Sequence, residues 1–134
     1  MTAKEYLSQA LWTQRRIAEL NQEIQRLREL ACSVTGVSGE RPGSGPGDHV
    51  GQAAAEIVYL EDMLAEETKL YSGLYREITA AIDNVGDARY REILRRRYVR
   101  GEKWEQIAVG MNYSCRRVAQ LHRLALRAVE KRLH

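Results

Sequence analysis

Residues 104–123 read WEQIAVGMNYSCRRVAQLHR, and the fold is decided there. Two short helices that cross at a steep angle need a small residue where they touch, and Ala108 supplies it. Their facing sides need apolar residues, and Ile107, Met111, Tyr113, Val118 and Leu121 fall at the required spacings. Between the helices the chain commonly turns through a residue at ease with positive φ; Asn112 sits there, the usual substitute for glycine. Ser114 is then a good N-cap for the second helix. Together these residues predict a helix-turn-helix, with helices over about 103–110 and 114–133. A plain αα-hairpin without a DNA role is the rival reading of the same residues.

The second helix exposes Cys115, Arg116, Arg117, Ala119 and Gln120 near its start, with Arg123 one turn on. In a helix-turn-helix these positions enter the major groove of duplex DNA. Arginine bonds bidentately to guanine and glutamine to adenine, so Arg116 and Gln120 carry base-reading chemistry. Arg117 and Arg123 are expected on phosphates, where they fix position without reading sequence.

Upstream, Gly86-Asp87 breaks the chain and Asp87 can cap a helix over about 88–99. That helix is strongly basic, with Arg89, Arg91, Arg95, Arg96, Arg97 and Arg100. Three consecutive arginines span nearly a full turn, so they cannot all face one phosphate track. Arg95, Arg96 and Lys103 are expected on the DNA backbone, and others of the tract on acidic groups of the N-terminal half. Tyr90, Ile93, Leu94 and Tyr98 form the apolar face of this helix and are expected to pack under the motif with Trp104.

The N-terminal part has a different grammar. From Ala3 to Val34 a seam recurs at intervals of three and four: Ala3, Tyr6, Ala10, Thr13, Ile17, Leu20, Ile24, Leu27, Ala31, Val34. It recurs from Val50 to Val85, with Glu67 the polar member as Thr13 is in the first. A 3.5-residue period puts one narrow stripe on each helix, the pattern of a coiled-coil seam. Residues 35–48 hold five of the ten glycines and both prolines, which predicts a flexible loop. The expected fold is thus all-α. A long antiparallel, coiled-coil-like hairpin (1–85, loop 35–48) precedes a three-helix DNA-binding domain (86–134). Leu7, Leu11, Trp12, Leu30, Val58, Met63 and Leu70 widen the seam, and self-association is expected, a dimer first.

Charge follows the same division. The 134 residues carry 21 Lys+Arg against 18 Asp+Glu, a net +3. Residues 1–85 hold 8 against 13, a net −5, and 86–134 hold 13 against 5, a net +8, which points to an anionic partner for the C-terminal part. No apolar run approaches the roughly 18 residues of a membrane span, and no signal-peptide core follows Met1. Cys32 and Cys115 lie far apart without a CxxC, so neither a disulfide framework nor a zinc site is expected, and the default is a reduced, cytoplasmic protein. An enzyme is not expected. His49, His122 and His134 form no constellation with carboxylates, and His122 reads as a packing or backbone contact rather than a general base. Glu61-Asp62 with Glu66-Glu67 reads as a solvated face, not a metal site. Cys115 reads as inert exposure rather than a redox centre. No glycine loop of phosphate-binding type is present, and no cofactor is expected.

Residues 90–133, YREILRRRYVRGEKWEQIAVGMNYSCRRVAQLHRLALRAVEKRL, resemble region 4 of sigma-70-type factors. REIL with RY and G matches its first helix, W-QIA-M-YS its scaffold helix, and RRV-QLH with AL its recognition helix. With the TAKEYLSQA opening and the Gly-rich interruption, the chain is similar to ArpU/RinA-type transcriptional regulators of phages and prophages. That resemblance implies transcription regulation through promoter DNA, with Cys115, Arg116 and Gln120 facing bases and Ser114, Arg117 and Arg123 on the backbone. Where housekeeping sigma factors have Arg-Glu, this chain has Cys115-Arg116; replacing an acceptor by a donor should abolish the base preference of that Glu. The −35 hexamer is therefore not the expected target. No region 2 that could melt a promoter is recognisable. The rivals are a small-terminase-like DNA-packaging component and an adaptor that binds RNA polymerase.

Overall fold

The computed structural model describes residues 1–37 and 46–133. Every regular element among them is helical: α1 (Ala3–Val37), α2 (Pro46–Asp83), α3 (Ala88–Leu94) running into a π-helical turn (Arg95–Val99), α4 (Trp104–Met111) and α5 (Cys115–Leu133). Both long helices run into the margins of the segment expected as a loop over 35–48, and its centre, 38–45, lies outside the described residues. Pro46 fits a helix start because its missing N–H is among those left without an intrahelical partner. No helix among the described residues is long and apolar enough to cross a membrane.

Two compact units result, and their boundary is not the one at 85/86. One unit gathers Met1–Thr13 with Tyr71–His134; the other is Gln14–Leu70. Each long helix therefore contributes to both. In the first unit Ala3, Leu7 and Ala10 of α1 pack with Ile78, Ile82 and Val85, with Leu94 and Tyr98, and with Ala125 and Val129 of α5. All ten are buried. The physical reason for the different boundary is visible in that set: Ala125 and Val129 of α5 share one core with the first three turns of α1. Ile93, Ile107, Ala108, Val118 and Leu121 make a second cluster in this unit, with Tyr90, Trp104, Met111 and Tyr113 at its edge.

The junctions of this unit are closed by polar groups. The Arg91 guanidinium donates to the carbonyls of Val85 at 2.6 Å and Gly86 at 2.9 Å. The Asp87 carboxylate caps α3 by accepting from the Arg89 N–H at 2.8 Å. The helix expected over 88–99 is α-helical only to Leu94; the Arg100 N–H then reaches back five residues to the Arg95 carbonyl at 3.0 Å. Gly101 follows at φ 70°, a backbone that glycine adopts without strain.

In the second unit Leu20, Ile24 and Leu60 are buried, flanked by Leu27, Ile57, Met63 and Leu64. Arg16 pairs with Glu67 at 3.1 Å and Arg28 with Glu61 at 2.5 Å, so the order of partners reverses along the chain. Glu67, the polar interruption of its stripe, is thus matched by Arg16. Thr13, its counterpart in the first unit, is 8% exposed and donates its hydroxyl proton to the Gln9 carbonyl at 2.9 Å. Leu30, Val58 and Leu70 lie outside the seam, each more than half exposed, and so does Trp12 in the first unit.

Candidate nucleic-acid interface

The turn between α4 and α5 is built by three residues. Asn112 stands at φ 60° and ψ 41°, the left-handed conformation, and its N–H donates to the Val109 carbonyl at 3.2 Å. The Tyr113 N–H donates to the Ala108 carbonyl at 3.0 Å, which brings the chain sharply across the end of α4. Ser114 then caps α5, its Oγ accepting from the Arg117 N–H at 3.1 Å. Ala108 is 5% exposed where the two helices meet, and Ile107, Val118 and Leu121 close the contact.

The orientation of α5 follows from what it buries. Val118, Leu121, Ala125 and Val129 form its inner stripe. On the opposite side Arg116, Gln120, Arg123 and Arg127 recur at intervals of four, three and four, so they stack along one face. The three arginines are exposed and Gln120 is half-exposed. Arg117 lies beside this row and donates to Gln120 Oε1 at 3.4 Å. Arg117, Gln120, Arg123, Leu124 and Arg127 line one shallow groove. Among the described residues none of Arg116, Arg117, Arg123 and Arg127 forms an ion pair. Ala119 and Cys115 are exposed near the helix start.

The arginines of α3 and its π-helical turn differ. Arg96 has a side chain only 21% exposed; it reaches Glu92 at 3.1 Å and Glu102 at 3.2 Å. Its guanidinium also covers Gly110, where an added methyl would collide with it. Arg95 pairs with Asp83 at the end of α2 at 3.0 Å. Arg97 donates to the Glu102 carbonyl and stacks over the Trp104 ring, 4.6 Å from its centroid. Both arginines expected on phosphates from this tract, Arg95 and Arg96, are therefore held by carboxylates of the fold. Lys103 is exposed at the start of α4, where its N–H donates to Gln106 Oε1 at 2.8 Å.

His122 sits behind the outward row. Tyr98 Oη and His122 Nε2 are 2.7 Å apart, and the Trp104 ring lies 4.6 Å from the imidazole. Burial, with the charges of Lys4 and Arg97 behind it, lowers the His122 pKa to about 4. Burial pushes the Tyr98 hydroxyl up to about 12. The tyrosine therefore keeps its proton and shares a hydrogen bond with a neutral imidazole. Among the described residues no group of three or more His, Cys, Asp or Glu side chains could hold a metal ion.

Arg127 joins the row although the sequence reading stopped at Arg123. The signal was present, eleven residues or three turns after Arg116. No protein-family model, no curated protein and no solved structure matches this chain.

Proposed function

We propose that this protein is a sequence-specific, DNA-binding regulator of transcription that reads the major groove with α5. The observation that carries the reading is the outward row of Arg116, Gln120, Arg123 and Arg127, whose arginines have no ion pair among the described residues. A fold that neutralises Arg95, Arg96 and Arg100 with its own carboxylates leaves this row open to an external anion. The left-handed turn at Asn112, the cap at Ser114 and the small contact at Ala108 support a helix-turn-helix, as does the resemblance to region 4 of sigma-70-type factors. In this reading Arg116 and Gln120, with Cys115 beside them, face bases, and Ser114, Arg117, Arg123, Arg127 and Lys103 meet the backbone.

The helical stretches 14–37 and 46–70 pair antiparallel, and through them two copies associate, covering exposed apolar side chains such as Leu30, Val58, Tyr59 and Leu70. A dimer favours an inverted repeat as its target. The reading puts the protein in the cytoplasm with the chromosome, regulating genes of a phage or prophage.

Fluorescence anisotropy with duplexes tiled across the region around its gene, at two salt concentrations, tests this. One tile should bind far more tightly than random DNA, with a steep salt slope. Arg116→Ala should cost about 1–3 kcal/mol on that tile and little on random DNA. Equal, weak binding to every tile would overturn it in favour of a packaging component or a polymerase adaptor.

A further inference from the structure

The reading helix has a neighbour from the far end of the chain. Lys4, Trp104, Cys115, Ala119, His122 and Arg123 line a single cleft of about 360 Å³ within the first unit. Trp104 and His122 are half-buried, whereas Lys4 and Arg123 are exposed. Neither cation has an ion pair among the described residues. The backbone at Lys4 is anchored, because Ala3 before it and Leu7 one turn on are fully buried in the unit's core. Its charge is felt at His122, inside the same cleft.

Two unneutralised cations held at one cleft repel each other unless an anion lies between them or beside them. Arg123 belongs to the row that faces outward with Arg116 and Gln120, so the cleft opens at the flank of that row. We infer that the first turn of α1 is part of the DNA-gripping surface, with Lys4 and Arg123 sharing a backbone phosphate at the flank of the groove that α5 reads. This rests on the proposed DNA reading and extends it to a residue 111 positions before the start of α5. Lysine suits the place, since it binds phosphate as a point charge and reads no base.

The experiment compares the full chain with Lys4→Ala, Lys4→Arg and Arg116→Ala, titrated against the preferred duplex and a random duplex across a salt series. Thermal melts come first, and exposed Lys4 should be replaceable without loss of folding. Lys4→Ala should weaken both duplexes by the same severalfold factor and reduce the salt slope by about one. Lys4→Arg should restore both. Affinity and slope unchanged in Lys4→Ala, while Arg116→Ala loses the preferred duplex, would overturn this inference and leave the DNA reading intact. A Lys4→Ala variant that loses only the preferred duplex would overturn the phosphate role as well. Absence of duplex binding by the unaltered protein at low salt would remove the DNA reading and this inference together.

Discussion

Asn112 is the residue on which the angle between α4 and α5 turns. Its φ of 60° costs an ordinary L-residue about 1–2 kcal/mol, and more for one branched at Cβ. It is exposed, so a substitution there probes backbone and not packing. Asn112→Val should lower unfolding stability by about 2 kcal/mol, and Asn112→Gly should leave it within a few tenths. Urea midpoints decide: equal losses in both variants would show that the asparagine side chain, not its backbone, is what matters. His122 gives a second test at this scale. Its folded pKa of about 4 lies below the ordinary 6.5, so between those values the unfolded chain binds a proton that the native one refuses. The stability from this group is complete above about pH 6.5 and is lost as pH falls toward 4. Discounted for solvent screening, the loss is about 1–2 kcal/mol, or on the order of 5 °C in melting temperature. His122→Gln keeps a hydrogen-bonding partner for Tyr98 and should flatten that part of the profile. A variant whose melting follows the same pH curve as the parent would refute the assignment.

At the scale of elements, α5 owes its start to one hydroxyl. Ser114→Ala removes the acceptor of the Arg117 N–H and should cost about 1 kcal/mol in chemical unfolding. If stability were unchanged, the cap bond would contribute nothing to α5, whatever the variant did to DNA affinity. The α4–turn–α5 segment was legible in the sequence because its signals are local: a small residue, a turn residue and a cap, each within a few positions of what it controls. The all-helical fold was legible for the same reason, through the period of its apolar residues. The arginine tract was not. Arg95, Arg96 and Arg97 have the same chemistry and adjacent positions, yet one meets Asp83, one Glu92 and Glu102, and one the Trp104 ring. Which arginine is spent on the fold depends on a π-helical turn that shifts the helical phase, and no residue type announces such a turn. Arg127 was missed for a simpler reason, being on the row but beyond the helix start where base contacts concentrate.

At the scale of the molecule, the least legible feature is that the first unit is discontinuous in sequence. Ala3 and Ala10 obey the same stripe as Leu20 and Ile24, with Leu7 beside it, so nothing in the spacing tells that the former pack in one core with α5 and the latter with Leu60. A fragment of residues 86–134, which carries the whole motif, should therefore fail to fold alone. Without Met1–Thr13 and 71–85 it would expose Leu94, Tyr98, Ala125 and Val129 to water. Circular dichroism should show little helix and no cooperative melt, and the fragment should not select the preferred duplex. In the full chain, Leu7→Ala truncates a fully buried side chain and should cost about 2–5 kcal/mol. Set against a total stability of about 5–15 kcal/mol, that should weaken the proposed DNA binding at temperatures where the parent is still folded. Leu20→Ala, whose target lies in the other unit, serves as the control: it should lower stability there and leave the affinity for a duplex half-site unchanged. The outcome that would sink this account is a soluble 86–134 fragment with a cooperative melt and the parent's half-site affinity. The motif would then be self-sufficient, and the first three turns of α1 would be only an addition to it.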